Sequence, residues 1–329
     1  PWNYPISMIT RKVAPALAAG CTIVLKPAEA TPLCARAVFE IFDKAEMPAG
    51  VVNLVTALVP GPIGSTFLDV VRVRKRTFTG STAVGKKLAR EAASQLKRVS
   101  LELGGHAPFI VCRDADPVHA AKGLSLVKYL NTGQACISPN RIFVHVDAVA
   151  PFIAELTGRV ASMKAGSGFE PGVRIGPLVN EEALAKVDRQ VQDAVKKGAE
   201  IVTGGRRLTE NGLDAGCFYA PTVLCNVTPE MTIYREETFG PVAPIIPYDK
   251  ETDLLAMAND TDYGLASYVY TRDLKKAFAL FEGLNFGIVG INDINPTSAA
   301  APFGGMKESG LGREGAMEGI EEYLETKLG

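Results

Sequence analysis

Residues 76–103 read RTFTGSTAVGKKLAREAASQLKRVSLEL, and this stretch predicts a strand, a helix and a second strand. The first strand covers 76–79, the helix runs from about 83 to 96, and the second strand covers 99–103 before Gly104-Gly105. Short apolar strands that are joined by a helix are typical of a βαβ unit, whose strands lie parallel. The stretch therefore predicts a parallel sheet that is covered by helices.

The residues before this stretch continue the same alternation. Helical and strand-like segments are predicted, in turn, at 6–19, 22–25, 31–44 and 51–55. Thr31 is expected as the N-cap of the second helix and Pro32 as its first residue, where a missing N–H costs nothing. Residues 1–103 are therefore predicted to form a doubly wound, Rossmann-like α/β domain.

A second α/β domain is predicted at 104–307, followed by a separate C-terminal segment at 308–329. Residues 180–197 show the apolar spacing of an amphipathic helix. Its buried face is expected to hold Leu184, Val187, Val191 and Val195. Strands are predicted at 201–202, 242–246 and 266–270, and the glycine-rich residues 303–311 predict a loop.

The charge balance excludes some classes of partner. The 329 residues carry 35 basic and 36 acidic side chains, which gives no electrostatic reason to expect nucleic acid or an anionic membrane. The longest uncharged apolar run, residues 13–25, is too short to span a bilayer and contains Pro15. No secretory leader is recognised, so we expect a cytoplasmic protein without a nucleic-acid or membrane partner.

One cysteine stands out among six. The cysteines are scattered without a CxxC pair or a Cys/His cluster, which predicts reduced thiols and no metal site. Cys136 ends the run NTGQAC at 131–136, where a glycine turn follows a helical stretch. A buried, inert thiol is the commoner fate of a cysteine, but the glycine and the polar neighbours favour a backbone that is held close to another group. These residues alone leave both interpretations open.

A carboxylate ends the strand at 99–103. The run LELGG at 101–105 places Glu102 between two leucines and before two glycines. Ligands bind at the strand ends of parallel α/β sheets, and apolar neighbours are expected to raise the pKa of Glu102 toward that of a general base. The alternative is an edge glutamate that points to solvent, and the five residues do not decide between the two.

The run FTGSTAVGKK at 78–87 suits a phosphate group. Backbone amides and hydroxyls at a helix N-terminus bind phosphate well. The run nearly matches the phosphate loop of nucleotide triphosphatases, with Gly80, Gly85 and Lys86 correctly spaced. Lys87, however, stands where a Ser or Thr would ligate magnesium. A phosphate-loop NTPase is therefore kept as a rival hypothesis.

These runs together resemble the aldehyde dehydrogenase superfamily, and the resemblance covers essentially the whole chain. The runs that carry it are PWN at 1–3, LKPAE at 25–29, FTGST at 78–82, LELGG at 101–105, GQAC at 133–136, ETFGP at 237–241 and PFGG at 302–305. The resemblance implies an NAD(P)-binding domain at 1–103, a catalytic domain at 104–307, and a C-terminal segment at 308–329 that returns toward the cofactor and oligomerisation region.

The resemblance also implies a mechanism. Cys136 would attack an aldehyde carbonyl, and the resulting alkoxide would be held by the Asn3 side chain and the Cys136 N–H. Loss of hydride to the cofactor would leave a thioester on Cys136, and Glu102 would activate the water that hydrolyses it. Without the resemblance, Asn3 would be interpreted as a turn asparagine.

The matching cofactor positions are Lys26, Glu29, Gly80, Ser81, Leu103, Glu237 and Phe239. The resemblance places the first two at the adenosine ribose, Ser81 at the pyrophosphate, and the last two at the nicotinamide end. A carboxylate at Glu29 would accept from a free 2′-hydroxyl and repel a 2′-phosphate. NAD is therefore the expected cofactor, with NADP as the alternative.

Within the superfamily, the chain is most similar to succinate-semialdehyde dehydrogenase-like members, on the runs APFIV at 107–111, SGLGREG at 309–315 and YLE at 323–325. The matching substrate positions are Arg11, Ser298 and Phe303. A second arginine of that subfamily is replaced by Leu130, which should weaken the binding of a substrate carboxylate by about 1.5–3 kcal/mol. The subfamily's second cysteine is Ser138, which excludes a local disulfide there.

Two further hypotheses belong to other classes. A cysteine hydrolase would need a histidine beside Cys136; His119 is predicted on a helix surface and His145 exposed on a strand, which leaves His106. A catalytically impaired fragment would keep only a structural or binding role. Because the chain begins at the PWN run, we expect that it lacks the first strand of the cofactor sheet and an oligomerisation element. We therefore expect it to fold poorly alone, whereas the full-length form would be a dimer or tetramer.

Overall fold

The structure is a computed structural model that describes residues 1–249, 253–295 and 297–329. In these residues the strands are β1 Ile23–Leu25, β2 Val52–Leu54, β3 Lys75–Thr79, β4 Arg98–Glu102, β5 Ala107–Val111, β6 Pro139–His145, β7 Lys164–Ala165, β8 Val173–Ile175, β9 Glu200–Thr203, β10 Thr222–Cys225, β11 Val242–Tyr248, β12 Ala266–Tyr270, β13 Ile288–Ile291 and β14 Gly310–Leu311. The helices are α1 Pro5–Ala18, α2 Pro32–Lys44, α3 Gly61–Asp69, α4 Thr82–Ala93, α5 Pro117–Lys128, α6 Val146–Ala161, α7 Glu181–Lys196, α8 Thr232–Arg235, α9 Leu254–Asn259, α10 Leu274–Gly283 and α11 Ala316–Glu321.

The chain divides into two compact units. Unit 1 holds residues 1–104 and 297–329, and unit 2 holds residues 105–296. The division expected after residue 103 lies next to this boundary, whereas residues 297–307 belong to unit 1. The functional assignment of the two domains stays a prediction.

Unit 1 contains the predicted parallel strands. β1 pairs with β2, and β3 pairs with β4, both in parallel. Helices α1 and α2 pack on each other and on the first pair through Ile9, Val13 and Val38. Leu88 of α4 lies in a second small core with Leu68. The predicted alternation of strands and helices is confirmed, because each apolar helix stripe needs a sheet or helix to cover it.

The second helix begins where the sequence predicts. Pro32 is its first residue and Thr31 precedes it, but the Thr31 hydroxyl makes no capping hydrogen bond to the helix. Proline at the first position removes one of the amides that would otherwise need a partner. The start of α2 therefore depends more on Pro32 than on a capping side chain.

The glycine-rich residues 303–311 are not a loop throughout, so this prediction is wrong at the end of the range. Gly310 and Leu311 form β14, which pairs antiparallel with β4 opposite Glu102 and Leu101. A Cβ atom on Gly310 would lie 1.9 Å from the Leu101 carbonyl oxygen, and its φ is +143°. Glycine at this position permits the close pairing of two strands.

Unit 2 is built on a seven-stranded sheet among the residues described. Its strand order is β13-β12-β5-β6-β11-β10-β9. All neighbours are parallel except β9, which is antiparallel to β10. Phe109, Ile142 and Val269 on the inner strands are fully buried, as expected for a sheet that is covered on both faces.

One prediction for α7 is wrong. Leu184, Val187 and Val191 are buried, but Val195 is 38% exposed and Ala194 is buried instead. At about 100° per residue the buried stripe is centred near Val187, so Val195 falls at its edge in the last turn. The helix begins after Asn180, whose side chain accepts a hydrogen bond from the Ala183 N–H at 2.9 Å, which is an N-cap.

Across the described residues, no helix combines the length and the apolar character that crossing a membrane requires.

Candidate functional site

The turn before Cys136 in unit 2 is strained. Asn131, Thr132 and Gly133 have φ values of 48°, 60° and 75°, all in the left-handed region. Glycine adopts this conformation freely, but a β-branched threonine there is a rare outlier. Such backbone costs of the order of 1–3 kcal/mol per residue and persists only where its surroundings hold it, often at functional sites.

Side chains of the turn hold it against the segment at 176–179. The Thr132 hydroxyl accepts from the Gly176 N–H at 2.9 Å and lies 3.2 Å from the Gly176 carbonyl oxygen. The Gln134 amide donates to the Pro177 carbonyl at 3.2 Å and accepts from the Val179 N–H at 2.9 Å. These paired contacts explain why threonine and glutamine flank the glycine in this run.

Residues of unit 2 that come from three runs distant in sequence meet at this turn. A Cβ atom on Gly133 would lie 2.1 Å from the carbonyl oxygen of Gly240, so the turn packs directly on the ETFGP run. A Cβ atom on Gly105 would lie 2.2 Å from the carbonyl oxygen of Cys136. The Gly105 N–H donates to the Glu237 carboxylate at 2.8 Å. Glycine is needed at both positions because two backbones come into contact.

Cys136 is buried, with 9% of its surface exposed. All six cysteines are thiols. The described residues contain no group of three or more His, Cys, Asp or Glu side chains that could hold a metal ion.

The histidines have partners away from the thiol. The buried His106 ring shares a hydrogen bond with the Tyr234 carbonyl through Nε2 at 2.7 Å, and burial holds its pKa well below the usual value. His119 lies exposed on α5, as predicted. The prediction of an exposed His145 is wrong, because β6 lies inside the sheet and this ring is 7% exposed. A Cys–His pair therefore receives no support.

Glu237 and Phe239 border the turn. Burial raises the pKa of Glu237, while the Gly105 N–H and the charges of Lys186 and Lys128 act in the opposite direction. Phe239 has a φ of 53° and is only partly buried, so it is not a simple core residue. The left-handed backbone at this aromatic residue is a second point of strain in the same unit.

Glu102 lies in unit 1 at the end of β4 and is 4% exposed, so the alternative of a solvent-facing edge glutamate is wrong. Its carbonyl accepts from the Gly80 N–H at 3.1 Å, which ties the strand end to the FTGST run. Leu103 fills the space over α4, because a Cβ atom on Gly85 would lie 2.4 Å from its side chain. The Gly104 N–H donates to the Thr82 hydroxyl at 3.2 Å.

The turn between β3 and α4 keeps its polar groups at the helix N-terminus. Ser81 is the N-cap residue of α4, but its hydroxyl makes no capping hydrogen bond. Lys86 pairs with Glu308, and Lys87 lies 3.9 Å from Glu91. The two lysines are thus directed at glutamates of unit 1, which does not favour the arrangement of a phosphate-loop NTPase.

Lys26 and Glu29 follow β1 and form an ion pair in unit 1. Partial burial acts to raise the pKa of Glu29, but the Lys26 ammonium and a backbone hydrogen bond outweigh it and hold the pKa below its usual value. Glu29 is therefore ionised at neutral pH. The sequence singled out both residues but did not predict that they contact each other.

The remaining predicted residues of unit 1 lie around α1 and the C-terminal segment. Asn3 is half-buried just before α1. The Arg11 guanidinium lies 4.3 Å from the centre of the Phe303 ring and 3.9 Å from Glu314. Ser298 accepts a hydrogen bond from the Ala300 N–H at 3.2 Å. The arginine and the aromatic ring, which are predicted separately, therefore form one stacked pair.

The sequence does not single out Lys12 and Glu314 as a pair. The two form a buried ion pair, and the Lys12 ammonium also donates to the Thr79 hydroxyl at 2.5 Å. The partners are 302 positions apart. No local sequence pattern predicts such a contact. The one related feature is that Lys12 lies on the buried side of α1, beside Met8 and Val13.

Known proteins are similar to this chain in sequence and in fold. The model of the aldehyde dehydrogenase family matches residues 1–328. A probable succinate-semialdehyde dehydrogenase [NADP(+)] of Sinorhizobium fredii is 50% identical over 99% of this chain and 66% of its own length. A glutarate-semialdehyde dehydrogenase of Pseudomonas putida is 48% identical over 99% of this chain and 67% of its own length.

A solved structure is equally similar. The aldehyde dehydrogenase of Brucella melitensis biovar abortus superposes with a TM-score of 0.96 at 49% identity, over 99% of this chain and 66% of that one. The chain therefore spans about two thirds of the length of the relatives that it matches. By the family match over almost all of its residues, the chain belongs to the aldehyde dehydrogenase family.

Proposed function

We propose that the protein oxidises an aldehyde to a carboxylic acid with NAD(P), through a covalent intermediate on Cys136. The observation that carries the proposal lies in unit 2, where Gly105, the last residue of the LELGG run, contacts Cys136 of the GQAC run and donates to Glu237 of the ETFGP run. Family membership supports the same assignment.

The proposed chemistry follows from the residue types. The Cys136 thiolate adds to the carbonyl carbon, and the family resemblance assigns the alkoxide to the Asn3 amide and the Cys136 N–H. The dinucleotide, when bound, would supply the acceptor for the hydride that leaves this carbon. Cys136 then carries a thioester, and Glu102 removes a proton from the water that hydrolyses it. Release of the acid restores the thiol.

The chain offers suitable groups for a dinucleotide. At the N-terminus of α4, the Ser81 hydroxyl is not used for capping, and helix N-termini favour phosphate. Together with Gly80 and Leu103, Ser81 is proposed to border the pyrophosphate. Glu237 and Phe239 are proposed to bind the nicotinamide ribose and ring.

Lys26 and Glu29 are proposed to bind the adenosine ribose. An ionised Glu29 accepts hydrogen bonds from a free 2′-hydroxyl and repels a 2′-phosphate, which favours NAD. Its pairing with Lys26 weakens this repulsion, and the Sinorhizobium relative is named for NADP(+). NADP is therefore the alternative to test beside NAD.

The proposed substrate is an aldehyde with a remote carboxylate, such as succinate semialdehyde. Arg11, Ser298 and Phe303 are the proposed contacts. Leu130 removes a second cation and is 50% exposed, which also makes a less polar aldehyde a candidate. The relatives are named for succinate and glutarate semialdehyde, which differ in chain length, and both are candidate substrates. The homo-oligomeric state and the cytoplasmic location stay predictions.

The test mixes the protein with NAD or NADP and with succinate semialdehyde, glutarate semialdehyde or an unsubstituted aldehyde, and follows the absorbance of the reduced cofactor. Cys136→Ala is expected to abolish turnover because no thioester can form. Cys225→Ala is the matched control, since Cys225 is equally buried, at 9%, in the same unit. A Cys136→Ala variant as active as the parent would refute the mechanism. A folded parent that reduces neither cofactor would support the structural or binding role.

A further inference from the structure

Lys128 is a buried lysine in unit 2 that the proposed chemistry does not use. It ends α5 with none of its surface exposed, and its ammonium donates to the Asn140 side-chain oxygen at 2.9 Å. Burial lowers its pKa to about 7, against an opposing effect of the Glu237 charge. Lysine is almost never fully buried unless it is paired, so an apolar side chain would suit this place better for stability alone.

Lys128 is linked to the candidate site through an unbroken series of contacts. Asn140, on β6, accepts from Lys128 and donates through its amide to the Gly105 carbonyl at 3.4 Å. The N–H of Gly105 donates to Glu237 at 2.8 Å. The α-carbon of Gly105 packs on the Cys136 carbonyl so closely that a Cβ atom would clash. The Gly105 backbone therefore touches both the proposed nucleophile and the proposed ribose-binding carboxylate.

The charge of Lys128 also acts on the Glu237 carboxyl group. Burial favours the neutral form of the carboxyl group, and the cations that oppose burial are Lys186 on α7 and Lys128 on α5. His106, the titratable ring next to Gly105, is held neutral by burial at neutral pH. Only the ionised carboxylate offers both oxygens as acceptors to ribose hydroxyls. Loss of Lys128 removes one of the two cations that favour this form.

We propose that Lys128 is a positioning residue for the cofactor: with Asn140 and the Gly105 backbone, it keeps the Glu237 carboxylate ionised and oriented. This inference rests on the proposed function of Glu237 as a ligand of the nicotinamide ribose. Lys128 touches neither the proposed nucleophile nor the ribose-binding carboxylate in this arrangement, and its effect passes through Asn140 and through its field.

The first test needs no cofactor. The Glu237 pKa is measured by carboxyl ¹³C NMR on glutamate-labelled protein, with the signal assigned by its loss in Glu237→Gln. Lys128→Met is expected to raise this pKa by about 1, the size of effect of one nearby opposite charge. Lys122→Met is the matched control, because Lys122 lies on the same helix but is exposed. An unchanged Glu237 pKa in folded Lys128→Met would overturn the proposal.

A second variant tests the proposal in case Lys128→Met does not fold. Asn140→Asp keeps the size of the side chain, offsets the Lys128 charge and removes the donor to the Gly105 carbonyl. It is expected to raise the Glu237 pKa in the same direction. If Lys128→Met does not fold, an unchanged Glu237 pKa in Asn140→Asp would itself contradict the proposal.

The third measurement separates this inference from the proposed function. In Lys128→Met, the KM for the nicotinamide nucleotide is expected to rise most at acid pH, by up to about 10-fold below the Glu237 pKa, where a rise of about 1 in that pKa lowers the ionised fraction about 10-fold. The acid limb of kcat/KM is expected to move to higher pH, and kcat should change less than KM. If the parent and Lys122→Met bind no nucleotide, the proposed function fails while the pKa measurement still decides the role of Lys128. A raised Glu237 pKa with unchanged KM would refute the positioning role.

Discussion

Replacement of Gly133 by alanine tests whether the turn before Cys136 is packed as the structure shows. The new Cβ atom would lie 2.1 Å from the Gly240 carbonyl oxygen, and Gly133 has a φ of +75°. Both features oppose a side chain. The neighbour is backbone, which cannot rotate out of the way as a flexible side chain can.

The expected loss of stability has two parts. An alanine in the left-handed region costs about 1–2 kcal/mol, and insertion of a methyl group into a packed site costs about 1–3 kcal/mol. Gly133→Ala is therefore expected to destabilise unit 2 by about 2–5 kcal/mol. For a unit of this size, this corresponds to a decrease in Tm of about 4–20 °C.

Variants at two other glycines of unit 2 distinguish the backbone cost from the packing cost. Gly172 has a φ of +78°, but a Cβ atom at this position would have no neighbour within 4 Å, so Gly172→Ala should show the backbone cost alone. Gly158 lies inside α6 with an ordinary φ and open space. Gly158→Ala is therefore expected to stabilise the protein by about 0.5–1 kcal/mol.

The assay is differential scanning calorimetry of the three variants beside the parent. The expected order of Tm is Gly158→Ala, parent, Gly172→Ala and Gly133→Ala, from highest to lowest. A Gly133→Ala variant as stable as Gly172→Ala would show that the turn does not pack on Gly240, and that the GQAC and ETFGP runs are not in contact there.

Two further predictions concern unit 2. Because burial raises the pKa of Glu237, the folded state binds the proton more tightly than the unfolded state, so this group's contribution to stability decreases as pH rises above about 4.5. In Glu237→Gln, the free energy of unfolding, measured by urea denaturation, should depend less on pH over that range. An unchanged pH dependence would contradict the raised pKa. Val191 is fully buried and Val195 is 38% exposed. In chemical denaturation, Val191→Ala should lower the free energy of unfolding by about 2 kcal/mol and Val195→Ala by less than about 0.5 kcal/mol. Equal losses would place both residues on the buried face.

Local patterns predict much of the fold. The alternation of short apolar strands and helices in residues 22–103 predicts the parallel pairs of unit 1, and Pro32 marks the start of α2. These features depend on neighbours in sequence, through propensity and periodicity. The same patterns are wrong for Val195 and His145, because a helix stripe or a strand does not show where its neighbours in space end.

The candidate site, too, has features that follow from the sequence and others that depend on the tertiary structure. The sequence by itself determined the residue types and the runs that carry the family resemblance, including Cys136, Glu102 and Glu237. Only the tertiary structure decided that Gly133 packs on Gly240, that Gly105 joins Cys136 to Glu237, and that Lys128 lies buried behind Asn140. Each of these contacts depends on strand order and register in the seven-stranded sheet, which bring together residues that no local periodicity connects.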